Sequence, residues 1–202
     1  LKQVYPGRYQ PDQLCRLVAE EKVTFSHCVP TILHMMLSHP VAKTVDFNGW
    51  KILIGGAAMP EAMAMSAQQR GIDLFTGYGM SETCPVLTIA HLDSQDLAGP
   101  PEQQAVTRAK TGRPLPLVDL KIVAPDMKAL AHDGKATGEV VVRTPWLTQG
   151  YLHAPDASEA LWEGGYLHTA DIGNINERGF LKVTDRIKDV IKTAGEWTSS
   201  LQ

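Results

Sequence analysis

Apolar positions in the first half of the chain follow two alternating periods. Behind Pro11, residues Leu14, Leu17 and Val18 fall at i, i+3 and i+4 and predict a helix. Val23 to Val29 is β-rich and predicts a strand. Pro30 opens a second helix with Leu33, Met36 and Leu37 on one face. Lys51 to Gly56 is a short buried-type strand that runs into glycine. Pro60 opens a third helix within Met59 to Arg70, and Gly71 closes it. Ile72 to Thr76 is the next strand, and Val86 to Ala90 is a further apolar run. Strand–helix alternation of this kind predicts a mostly parallel sheet with covering helices. Ligands of such sheets bind beyond the carboxyl ends of the strands. Three predicted loops fall there: Val29-Pro30-Thr31, Gly55-Gly56-Ala57 and the glycine turn Gly77-Tyr78-Gly79.

The pattern changes in the second half. Asp93 to Thr111 is polar, contains Gly99-Pro100-Pro101, and reads as a long surface connection. Leu117 to Val123, Glu139 to Arg143, Ile172 to Ile175 and Phe180 to Val183 are short strands. Turn signals separate them at His132-Asp133-Gly134 and Asn176-Glu177-Arg178-Gly179. A helix of about two turns fits Pro155 to Leu161. The fold class is therefore α/β, a mostly parallel sheet with covering helices, followed by a small antiparallel sheet or β-barrel-like subdomain. Residues 1–95 form the α/β part, 96–115 the connection and 116–187 the β-rich part.

Composition narrows the classes. With 202 residues, 44% hydrophobic, the chain has material for a real core. A net charge of -3 gives no electrostatic case for nucleic acid. Cys15, Cys28 and Cys84 are odd in number and widely spaced, so they offer neither a disulfide framework nor paired zinc ligands. Free thiols fit a reducing, cytoplasmic setting. No apolar run reaches the ~20 residues of a membrane-spanning helix. The seven histidines show no metal-ligand spacing.

The chemistry concentrates in Gly77-Tyr78-Gly79-Met80-Ser81-Glu82-Thr83. An aromatic ring suits stacking on a purine, the glycines let backbone approach phosphate, the Ser81 hydroxyl suits a phosphate oxygen, and the Glu82 carboxylate suits magnesium. Plainer roles stay open from these residues alone. Tyr78 also fits a core-edge tyrosine, Ser81 a helix cap and Glu82 a solvated first-turn glutamate. His27 fits a core histidine. Asp171, set between Ala170 and Ile172, needs partners for its carboxylate.

Downstream, in fixed order, stand Thr169-Ala170-Asp171, then Asp185-Arg186-Ile187-Lys188-Asp189, then Lys192-Thr193-Ala194-Gly195-Glu196-Trp197. Together with Tyr78-Gly79-Met80-Ser81-Glu82 this order resembles the adenylate-forming superfamily: acyl-CoA synthetases, luciferases and the adenylation domains of peptide synthetases. The tail is most similar to the medium-chain acyl-CoA synthetase and methylthiopropionate–CoA ligase branch. The resemblance implies the large-domain fold of those enzymes, ATP and CoA as co-substrates with Mg2+, and a carboxylic (fatty) acid as substrate. It implies adenine stacking on Tyr78, ribose held by Asp171 and Arg186, Ser81 at phosphate, and magnesium on Glu82. It implies an acyl pocket near His27, Val29 and Pro30, an acyl-adenylate lying along Gly55, Gly56 and Ala57, and Gly77 and Gly79 among the nucleotide-binding residues. Lys188 matches the hinge before a C-terminal domain, so residues 188–202 take the hinge and the start of that domain. Gly195, Glu196 and Trp197 match a loop near the CoA arm. Ser81 stands where the family usually has threonine, and Ala170 where it has glycine. One added methyl is tolerable there unless the backbone needs positive φ.

Such enzymes also carry a Ser/Thr/Gly-rich phosphate loop and a C-terminal catalytic lysine, and no stretch here has that loop's composition. The chain therefore reads as an internal piece of a longer ligase, inactive alone. Two other readings stand beside it: a peptide-synthetase adenylation domain serving a carrier protein, and a truncated, non-catalytic nucleotide-binding module. An apolar sheet edge would favour self-association, a homodimer among the outcomes.

Overall fold

Residues 1–187 are described in full by the computed structural model, and residues 191–193 and 196–198 by their backbone. Two compact units emerge, Leu1–Tyr78 with Ala90–Lys110 and Gly79–Ile89 with Thr111–Gln202.

In the first unit proline sets the helix starts, because its fixed φ suits the first turn and its missing N–H costs nothing there. Helix α1 (Pro11–Glu20) leads into strand β1 (Phe25–Cys28), and α2 (Pro30–Ser38) follows. Strand β2 (Lys51–Ile54) leads into α3 (Glu61–Gln69), with Pro60 at its N-cap, and then into β3 (Asp73–Gly79). Strands β1, β2 and β3 pair in parallel, Cys28 opposite Ile54 and Ile54 opposite Thr76. Leu33, Met36, Phe47, Trp50, Ile52 and Leu74 are among the buried residues of this core.

The polar segment expected to be a surface connection is largely helical. Helix α4 (Ser94–Ala98) starts from Asp93, whose carboxylate accepts the N–H groups of Gln95 and Asp96. Helix α5 (Pro101–Ala109) packs against α3 and buries Ala105, Thr107 and Arg108. Arg108 donates to the Asp73 carboxylate at 2.9 Å and to the Leu74 carbonyl. A segment whose inward face is Ala, Thr and Arg gives no apolar period, so periodicity alone hides it.

In the second unit β4 (Val86–Ile89) pairs antiparallel with the short β5 (Arg113–Pro114). Strands β6 (Asp119–Val123), β7 (Gly138–Arg143), β8 (Leu167–Ile175) and β9 (Leu181–Arg186) form a four-stranded antiparallel meander. Its core is Ile122, Val140, Val142, Leu167, Ile172 and Leu181. Helix α6 (Pro155–Leu161) lies between β7 and β8 in the chain. The backbone of β10 (Ile191–Thr193) pairs antiparallel with β11 (Glu196–Thr198).

Strand β8 is longer than its apolar pattern suggests because it contains a bulge. Val141 pairs with His168 and Glu139 with Ile172, so Thr169, Ala170 and Asp171 all lie opposite Val140. Ala170 takes φ 57°, a left-handed conformation that L side chains avoid. The glycine-to-alanine departure therefore falls where positive φ is required. We expect Ala170→Gly to stabilise the protein by about 0.5–1 kcal/mol, read as a higher midpoint of urea unfolding. An unchanged or lower midpoint would remove the strain argument.

The three cysteines are free and differ in setting: Cys15 is buried, Cys28 half-buried and Cys84 exposed. Burial pushes the Cys28 thiol up to about 11, against an ordinary value of 9.0, and also raises Cys15. The neutral Cys28 thiol thus supports the fold fully below pH 9 and loses that contribution as pH rises through about 11. A thiol reagent applied at neutral pH should label Cys84 fast and Cys15 and Cys28 slowly. Cys84→Ser should abolish the fast phase, and a fast phase that survives would refute the assignment.

Candidate functional site

In the first unit the candidate residues collect at the carboxyl ends of the three parallel strands. His27 ends β1 with Cys28, Gly55 follows β2, and Gly77 and Tyr78 lie in β3. A Cβ built on Gly55 would lie 3.4 Å from the Gly77 carbonyl oxygen and 3.7 Å from His27 Nε2. These three residues are therefore brought together. His27 is exposed. Gly56 takes φ 83°, and its added Cβ would sit 3.4 Å from the Val29 side chain. Gly56 and Ala57 are exposed, and Pro30 is buried in the first turn of α2. Tyr78 is half-buried.

The expected glycine turn is an extended strand. Gly77, Tyr78 and Gly79 continue β3, and neither glycine appears among the positive-φ residues. Gly79 serves close approach instead. A Cβ there would fall 1.6 Å from the Pro85 carbonyl oxygen. The need for glycine is steric, and no backbone freedom is used.

In the second unit Ser81, Glu82 and Thr83 form a single 3-10 turn after Met80. Thr83 fixes it: its hydroxyl accepts the Met80 N–H at 3.0 Å and lies 2.7 Å from the Pro85 carbonyl oxygen. Cys84 closes the turn at φ 53°. Ser81 is exposed and Glu82 half-buried. The Tyr151 hydroxyl donates to Glu82 Oε1 at 2.8 Å, and the Thr148 N–H donates to the Glu82 carbonyl at 2.9 Å. Glu82, mainly through that hydrogen bond, raises the Tyr151 phenol above its usual value, with burial and charge adding to it. Sequence reading missed Tyr151. The adjacent Gly150-Tyr151 pair was the available signal, but nothing in its spacing points to Glu82.

The β8 bulge builds the second carboxylate. The Ala170 N–H donates to Glu139 Oε1 at 3.1 Å, and the Asp171 N–H donates to the Thr169 hydroxyl at 3.1 Å. Thr169 in turn donates to the Val140 carbonyl at 2.7 Å. Glu139 Oε2 lies 3.0 Å from His168 Nδ1, and His168 Nε2 lies 3.0 Å from the Glu163 carbonyl oxygen. The bulge donors are thus met by side chains where the ladder fails. Asp171 is 7% exposed. It pairs across β8 and β9 with Arg186, whose Nε lies 3.3 Å from Asp171 Oδ1. The Arg186 guanidinium faces Asp171, and most of its side chain stays exposed.

Lys188 and Gly195 lie outside the described residues. Glu196 and Trp197 lie on β11, opposite Thr193 and Lys192. Among the described residues no group of three or more His, Cys, Asp and Glu side chains is placed to hold a metal ion. Among them, too, no helix is long and apolar enough to cross a membrane.

Comparison with known proteins gives this geometry a context. The model of the AMP-binding enzyme family matches residues 2–152. A long-chain-fatty-acid–CoA ligase of Thermus thermophilus is 35% identical over 99% of this chain and 38% of its own length. A 3-methylmercaptopropionyl-CoA ligase of Ruegeria lacuscaerulensis is 33% identical over 95% of this chain and 35% of its own. Among solved structures, an amide bond synthetase from Marinactinospora thermotolerans superposes with a TM-score of 0.81 at 28% identity, over 95% of this chain and 38% of that one. The chain spans little more than a third of the length of these relatives. A match over residues 2–152, the parallel and antiparallel sheets it runs through, and ligase relatives along nearly the whole sequence lead to one conclusion: this chain belongs to the AMP-binding enzyme family.

Proposed function

We propose that the full-length protein is an ATP-dependent acid–CoA ligase. A carboxylate attacks the α-phosphorus of ATP and expels pyrophosphate, giving acyl-adenylate. The CoA thiol then attacks the acyl carbon, forming the thioester and releasing AMP. The first step depends on in-line positioning and charge neutralisation more than on a protein nucleophile.

The residues divide the work as follows. Tyr78 stacks on adenine, and Asp171 with Arg186 holds the ribose hydroxyls. Ser81 donates to phosphate. Gly55, Gly56 and Ala57 run along the acyl-adenylate, and His27, Val29 and Pro30 line the acid. Lys188 is the hinge, and Gly195, Glu196 and Trp197 approach the CoA arm. Glu82 would hold Mg2+, which supplies charge neutralisation on the phosphates. The donor set fits: Tyr151 engages only Oε1 of that carboxylate, and Mg2+ takes one or two carboxylates with phosphate oxygens. A short to medium aliphatic or thioether acid is the substrate we favour, in the cytoplasm, which suits free thiols.

The observation that carries this reading is the Asp171–Arg186 pair. Two residues assigned to one sugar by separate motifs are cross-strand partners, 3.3 Å apart, with the carboxylate nearly buried and the guanidinium mostly open. Calorimetry with AMP on the full-length protein tests it. Asp171→Ala and Tyr78→Ala should each weaken binding by about tenfold or more, the scale of a lost charge-assisted hydrogen bond or stacked base. Wild-type affinity in both would remove the nucleotide assignment. Separately, the 202-residue chain alone should show no acid-dependent pyrophosphate exchange, because it lacks a Ser/Thr/Gly-rich phosphate loop. Clear exchange by the purified chain would overturn that.

A further inference from the structure

Glu82 is held by its neighbours at two points, and both come from one loop. The Thr148 N–H reaches its carbonyl at 2.9 Å, and the Tyr151 hydroxyl reaches its carboxylate at 2.8 Å. That loop is itself fixed. Ser158, inside α6, accepts the Tyr151 N–H at 2.8 Å and donates to the Ala154 carbonyl at 2.7 Å. Gly150 allows the approach, since a Cβ on it would lie 2.6 Å from Ser158 Oγ and 2.7 Å from Ser158 Cβ. The Thr148 hydroxyl closes the loop on the Gly150 carbonyl at 3.1 Å. The phenol is thus delivered to Glu82 from a clamped backbone, although the side chain is 42% exposed and contributes little to the core.

We propose that Tyr151 is a positioning residue for the Glu82 carboxylate: its hydroxyl holds Oε1 and leaves Oε2 oriented for the cation that accompanies the nucleotide. This rests on the metal-binding role of Glu82 proposed above. A glutamate with three rotatable bonds on a short 3-10 turn loses rotamer freedom when it binds a cation, and a fixed donor removes that loss beforehand. Partners that orient a ligating carboxylate typically matter about 10–100-fold in metal affinity. Mg2+ also leans on phosphate oxygens, so the lower end of that range applies here.

The test is Mn2+ binding, followed by electron paramagnetic resonance, to the full-length protein saturated with α,β-methylene-ATP. Tyr151→Phe deletes only the hydroxyl, and the melting temperature should stay that of the wild type. It should weaken Mn2+ binding by about tenfold. Glu82→Gln should weaken it at least as much, and adding Tyr151→Phe to Glu82→Gln should cost nothing further, because both act through one carboxylate. Wild-type Mn2+ affinity in Tyr151→Phe beside a loss in Glu82→Gln overturns the positioning role and leaves the metal role of Glu82 standing. Wild-type affinity in Glu82→Gln overturns both. An equal Tyr151→Phe loss with and without Glu82 shows that the phenol acts elsewhere and overturns the proposal.

Discussion

The β8 bulge is the constraint on which the Asp171–Arg186 pair of the β-rich unit depends. Three residues facing one leave the ladder with unpaired donors next to a carboxylate that is almost buried. Each such donor would cost about 1–3 kcal/mol if left unmet. Glu139 and Thr169 meet them, and His168 holds Glu139 from its other oxygen. Ala170 pays a conformational cost to complete the turn of the chain. What results is a side chain, Asp171, fixed opposite Arg186 at the end of the sheet. The strained residue stands next to the carboxylate that the bulge re-aims.

The α/β unit solves a different problem. Parallel strands end together, so His27, Gly55 and Gly77 meet at their carboxyl ends. Small residues keep the ends open: a side chain at Gly55 would come within contact of both neighbours. Behind them the sheet is covered by helices of unequal character. Helix α2 buries Leu33 and Met36, whereas α5 buries Ala105, Thr107 and Arg108. The Arg108 guanidinium reaches Asp73 and Leu74 at the start of β3 and lies 5.8 Å from the Phe75 ring centroid. A buried cation so close to a strand is tolerable because it is paired and hydrogen-bonded.

The two carboxylates of the β-rich unit are set in contrasting ways. Asp171 is withdrawn from solvent and held by a cross-strand arginine. Glu82 is half-open on a short turn and held from a distant loop. The first arrangement suits a rigid contact to neutral hydroxyls. The second leaves an oxygen accessible, which suits a cation that keeps most of its ligands from water and phosphate.

Much of this was legible in the residues. Pro11, Pro30 and Pro155 marked helix starts, and Gly71, Gly134 and Gly179 marked turns that do take positive φ. The order of Tyr78, Glu82, Asp171 and Arg186 carried the family. Helix α5 escaped although Pro101 opens it as Pro11 opens α1, because its buried face is polar and its partner lies on α3. Gly79 was recognised as necessary, but for backbone freedom, whereas the structural reason is the Pro85 carbonyl. Local rules act within a few residues, so sequence fixes where elements begin, which faces are apolar and which functional groups are on hand. Hydrogen bonds from Tyr151 to Glu82, from Glu139 to Ala170 and from Arg108 to Asp73 join segments far apart in the chain, and no period or propensity encodes them. Only the folded arrangement decides those, because it alone brings a particular donor within reach of a particular acceptor.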